Sequence, residues 1–170
     1  MRLAISLSIA FLLAGCAAET PTVQAPSMYV DMAAPGSKLD AVAAATMISQ
    51  YRQNNGLGMV EVDPELMRLA EAQSQVMADK NKLDHDVRAP LARRLTGAGY
   101  DATVAVENVS AGYHTLAEAF SGWRDSPPHR ANMLKNGVTK IGIAASYAPN
   151  TKYKVFWTMI LATPDRKQPS

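Results

Sequence analysis

The sequence of 170 residues contains one cysteine, Cys16. No internal disulfide can form, and no cysteine-rich zinc module can be built. Any domain in this chain must hold itself together by packing alone. The cysteine also divides the chain. Of the 15 residues before it, 11 are apolar, Met1 among them, and Met1-Arg2 supplies a short positive start. Leu3 to Ala14 is apolar except for Ser6 and Ser8. A core of about 12 residues suits a signal peptide and falls short of the ~20 that a membrane-spanning helix needs. The rest of the chain carries no thiol, so thiol catalysis is excluded.

Leu13-Ala14-Gly15-Cys16 resembles a bacterial lipobox. The resemblance implies cleavage before Cys16, diacylation of its sulfur, and a mature protein anchored in the bacterial cell envelope through that residue. Several acyl chains on one residue hold durably where a single chain binds only marginally. Ala17, in place of an Asp, implies the outer membrane where the host has one. Residues 16–37 read as the lipidated cysteine and a flexible linker, with Pro21, Pro26, Pro35 and Gly36 and no sustained helical or strand period. The predicted organisation is therefore a signal peptide over 1–15, this linker, one domain over 38–165 and a polar tail over 166–170.

Within the domain, Ser37-x-x-Asp40 reads as a capping box opening a helix, with a stripe of Leu39, Val42, Ala43, Met47 and Tyr51. Asn54-Asn55-Gly56 ends it. Asp63-Pro64 opens a second helix to about Lys80, burying Leu66, Leu69, Ala70, Gln73, Val76 and Met77. A helical turn is expected at Leu91–Leu95, and an extended segment at Thr103–Ser110. Thr115-x-x-Glu118 is a second capping box, before Leu116, Ala119, Phe120 and Trp123. Ser126-Pro127 opens a short helix over 128–135. Lys140–Tyr147 and Lys152–Thr163 read as strands joined by Ala148-Pro149-Asn150-Thr151. Helices first and strands last predict an α+β domain, with helices around a small antiparallel sheet.

The net charge of +2 gives no electrostatic footprint for nucleic acid. HExxH, GxSxG, GxxxxGK[ST] and GxGxxG are all absent. The residues left to carry chemistry are His85, Glu107, Glu118 and His129. Their text is distinctive: Tyr51-Arg52-x-x-x-Gly56-Leu57, Gly99-Tyr100, Glu107-Asn108, and the run from Glu118 to Leu134 containing Trp123-x-x-Ser126-Pro127-Pro128-His129-Arg130. In this order they resemble the CAP superfamily of cysteine-rich secretory, antigen 5 and pathogenesis-related proteins, in its bacterial, disulfide-free branch. The resemblance implies an α-β-α sandwich with a cleft of two histidines and two glutamates, by position His85, Glu107, Glu118 and His129. It further implies a divalent metal, commonly zinc, on His85 and His129, and a lipid or other small molecule as a conceivable ligand. Val106 stands where the family has glycine, and Asp84 and Asp86 flank His85 unusually.

The same residues have plainer roles. Glu118 sits at N3 of its helix, where a capping box accounts for it. His129 lies near a helix N-terminus, which disfavours the charged imidazole. Glu107 on a half-buried strand needs a partner in any case. His85 in a polar loop reads equally as solvated surface. Three functions follow as expectations. The first is a lipid-anchored binding or scaffold module whose cleft holds a divalent metal or small ligand. The second is a metal-dependent hydrolase of peptide or envelope polymer, with Glu107 or Glu118 activating water. The third is a purely structural or adhesion role.

Overall fold

The computed structural model describes residues 25–165. Cys16, the signal peptide, the first part of the linker and the tail at 166–170 lie outside the described residues. The chain forms α1 (Ala41–Gln53), β1 (Glu61–Val62), α2 (Pro64–Lys80), α3 (Leu91–Gly97), β2 (Ala102–Ala111), α4 (Leu116–Asp125), α5 (Pro127–Met133), β3 (Lys140–Ala148) and β4 (Lys154–Pro164).

Local chemistry sets the helix starts. Asp63 accepts from the backbone N–H groups of Glu65 and Leu66, with Pro64 at the first helical position. Thr115 and Glu118 form the reciprocal capping box expected for α4. At α1 the expectation is corrected. The cap is Asp40, whose carboxylate accepts from Ala43 N, while the Ser37 hydroxyl donates to Asp31 O. The buried face also differs from the expected stripe. It is Ala44, Ala45, Ile48, Ser49 and Arg52, and Val42 is 70% exposed. Small residues let α1 lie close to its neighbours, so the larger side chains flank the contact.

The sheet order is β1-β3-β4-β2. β4 pairs antiparallel with both β2 and β3, but β1 pairs parallel with β3, so the sheet is mixed and not purely antiparallel. The two-residue β1 had no visible sequence period. β4 is buried along nearly its whole length, and its side chains alternate between two cores. Val155, Trp157, Met159 and Leu161 meet Ile48 of α1, Trp123 of α4 and Met133 of α5. Ile160 and Ala162 meet Leu66, Leu69 and Ala70 of α2, and Phe156 meets Met77. This period-2 division between two helical layers is the α-β-α sandwich. Each such large side chain contributes about 1.5–3 kcal/mol by leaving water. Gly142 of β3 is required for the closest approach: a Cβ there would collide with the main chain of Leu66 and Met67.

Packing begins before residue 38, which corrects the linker boundary within the described residues. Met32 is buried, Met28, Val30 and Ala33 pack partly against the same core, and Met32 N donates to His114 O at 2.7 Å. The apolar side chains scattered among the prolines of that segment are thus part of the fold.

Candidate functional site

β2 is an edge strand, and its alternation sends Glu107 and Asn108 to opposite faces of the sheet. Glu107 is 6% exposed. Its Oε2 accepts from Arg94 Nη2 of α3 at 2.6 Å, and its Oε1 lies 2.9 Å from His85 Nδ1. On the other side, Asn108 Nδ2 donates to the backbone oxygen of His129 at 3.0 Å. Asn132 of α5 closes the arrangement, its Nδ2 donating to Glu107 O and to Asn108 Oδ1, each at 2.9 Å. The site therefore wraps around the edge of the sheet and joins the loop before α3 to α5.

The two histidines are tuned in opposite directions. The hydrogen bond to Glu107 raises the pKa of His85 above its ordinary value, against the opposing effect of partial burial. Burial, and secondarily the charge of His85, holds His129 below it. Both oxygens of Glu107 are already engaged by donors.

Of the four expected residues, the structure gathers His85, Glu107 and His129 around β2. Glu118 is used elsewhere. It is exposed, and its Oε2 accepts from the backbone N–H groups of His114 at 2.7 Å and Thr115 at 3.0 Å. Its carboxylate closes the start of α4 beside Tyr113 and His114. Among the described residues, no group of three or more His, Cys, Asp or Glu stands together in a way that could hold a metal ion. Zinc centres take three or four protein donors. Arg94 also brings a fixed positive charge against Glu107, where a dication would need the carboxylate for itself. Among the described residues, no third such donor joins His85 and His129 in a group that could hold a metal ion.

Three side chains of the site escaped sequence reasoning. Arg94, Asn108 and Asn132 bond the cluster together; Asn108 stands in the sequence only as part of the Glu107-Asn108 text, and Arg94 and Asn132 have no role assigned there. One signal was available. Residues 87–100 contain Arg88, Arg93 and Arg94 and no acidic residue.

Comparisons with known proteins agree with this architecture. Residues 45–161 match the family model described as CAP, the cysteine-rich secretory protein family. The uncharacterized protein YkwD of Bacillus subtilis (strain 168) is 35% identical over 95 residues, covering 54% of this chain and 37% of that protein. An extracellular protein containing a SCP domain from Bacillus anthracis superposes with a TM-score of 0.62 at 24% identity, over 71% of this chain and 39% of its own. An outer surface protein of Borrelia burgdorferi superposes with a TM-score of 0.68 at 16% identity, over 75% of this chain and 95% of its own. The chain thus spans less than half the length of the two Bacillus proteins.

Proposed function

The chain belongs to the CAP family, and on that premise we propose that it is an extracytoplasmic binding module, tethered to the bacterial cell envelope through a lipidated Cys16. The apolar run ending at the only cysteine supports the anchor. The extracellular and outer-surface relatives support the compartment. With the fold beginning near Ser27, the ten residues 17–26 would reach about 31 Å in polyproline form at ~3.1 Å each, so the domain would work close to the membrane. Its partners are the membrane and a small molecule or lipid.

The observation that carries the binding reading is the way Glu107 is held. A hydrolytic base must reach the water it activates. Glu107 is 6% exposed with both oxygens already accepting from His85 and Arg94, and Glu118 caps a helix. Such a cluster recognises a ligand by presenting the exposed ring of His85 and the partly buried ring of His129. It does so without a metal at its centre.

Membrane fractionation and zinc titration of the full-length protein test this reading. Wild-type protein is expected in the membrane fraction and Cys16→Ser in the soluble one; a Cys16→Ser protein that stays with the membrane refutes the anchor. No stoichiometric zinc site is expected. Tight zinc binding abolished by both His85→Ala and His129→Ala would restore the metal-centred reading.

A further inference from the structure

A second concave site lies behind the Glu107 cluster, between α2, α3 and the loop joining them. It is a cavity of about 240 Å³, and its charged lining residues are Arg68, Arg88, Arg93 and Arg94, with no acidic residue among them. Two of these charges are already matched: Arg68 pairs with Glu65, and Arg94 with Glu107. Arg88 and Arg93 have no ion-pair partner among the described residues. The cavity therefore carries two uncompensated positive charges.

Its floor also contains unused hydrogen-bonding groups. The Arg94 side chain is 7% exposed. Its Nε donates to Ala89 O and its Nη2 to Glu107, but its Nη1 is buried without a partner. Gln73 from α2 also lines the cavity. Its Nε2 donates to Asp84 O and His85 O, while its buried Oε1 has no donor. A buried polar group left unpaired costs about 1–3 kcal/mol. Two of the side chains lining the cavity thus each carry a buried, unpaired polar atom, beside two free guanidinium groups.

We propose that this cavity binds the phosphate group of a small phosphorylated molecule. A phosphate monoester dianion matches the two free charges of Arg88 and Arg93. Its oxygens accept from the guanidinium groups of Arg88 and Arg93, both exposed at the cavity, with the unpaired Arg94 Nη1 and Gln73 Oε1 in the wall beneath. Guanidinium groups suit this role because their planar donors match oxyanion geometry. The volume lies between the ~150 Å³ that admits benzene and the ~300 Å³ of the smallest drug-sized pockets, so it fits a phosphate with a few carbons and excludes an acyl chain. The site is joined to the Glu107 cluster through Arg94 and through Gln73, which holds the His85 main chain, and it stands whether or not Cys16 is lipidated or His85 and His129 bind anything. Occupancy would nevertheless be felt across Arg94, whose other Nη holds Glu107.

Calorimetric titration of the purified protein with inorganic phosphate and glycerol 3-phosphate, at constant ionic strength, tests this. Saturable one-to-one binding is expected. The Arg88→Gln/Arg93→Gln variant, altered only at exposed positions, is expected to weaken it about tenfold through loss of two charge-assisted contacts. The Arg124→Gln/Arg130→Gln variant removes equal charge elsewhere and is expected to bind as wild type. Equal weakening in both variants would reduce the effect to diffuse charge and overturn the proposal. Absence of saturation would leave a water-filled cavity and overturn it too. Vesicles separate the two sources of the phosphate group. Binding to phosphatidic acid over phosphatidylcholine vesicles, lost in Arg88→Gln/Arg93→Gln, would support a lipid headgroup in the cavity; binding of the soluble esters alone would support a free metabolite.

Discussion

The domain buries two arginines, and they are used in contrasting ways. Arg52 of α1 is 1% exposed and pairs with no carboxylate among the described residues. Its Nε donates to Gly58 O, its Nη1 to Met133 O and Lys135 O, and its Nη2 to Val138 O. Those carbonyls gather at the end of α5, where the helix dipole favours a cation. Arg94 is nearly as buried but meets one carboxylate and one carbonyl, and leaves Nη1 without a partner beside a cavity that the residue lines. Arg52 is a closed fastening between α1, α5 and the start of β3. Arg94 is a fastening with one donor held in reserve. A buried cation whose nitrogens all find partners in its own fold reads as architecture; one whose nitrogens do not reads as a place for a ligand.

The contrast can be tested in descending order of effect. Arg52→Met strands four carbonyls and should lower stability by about 3 kcal/mol or more in urea unfolding. Arg94→Met should cost about 2 kcal/mol, because Glu107 keeps His85 as a partner. Much of that loss should return in the Arg94→Met/Glu107→Gln double variant, which removes the stranded charge. Equal losses for Arg52→Met and Arg94→Met would abolish the distinction. The smallest effect is in pH. His85 has a raised pKa, so its stabilising contribution is complete below the ordinary value of ~6.5 and is lost as pH rises through the raised one. His129 has a lowered pKa, so its contribution is present above ~6.5 and is lost as pH falls through the lowered one. The His85 ring is 53% exposed, and solvent screening keeps its share well under 1 kcal/mol. Imidazole proton shifts followed by NMR should show His85 titrating above His129; the reverse order would refute the assignment.

What was legible in the sequence was the chemistry of local boundaries. Asp63-Pro64 and Thr115-x-x-Glu118 announce helix starts because the cap residues satisfy orphan N–H groups within one turn. The α+β order and the long strands followed from the same local patterns. The buried face of α1 was not legible, because Ala44, Ala45 and Ser49 are buried by close approach and not by their own apolar area. β1 was invisible because two residues carry no period. At the site, family text pointed to Glu107, which the fold does enclose, and equally to Glu118, which the fold uses as a cap. The difference lies in partners across 22 residues of chain for His85 and Glu107, against partners within four for Glu118. Arg94 became visible only when the fold brought α3 to β2.

The edge position of β2 has a further consequence. A ten-residue strand at the margin of a sheet is a template on which another chain can add, the usual route to intermolecular sheet growth. Here the Asn132 amide occupies the main-chain oxygen of Glu107, and α5 lies against the strand it protects. The side chain that aligns the cleft is also a guard against self-association. Asn132 variants would therefore declare themselves first as protein that cannot be concentrated, before any change in what the cleft holds.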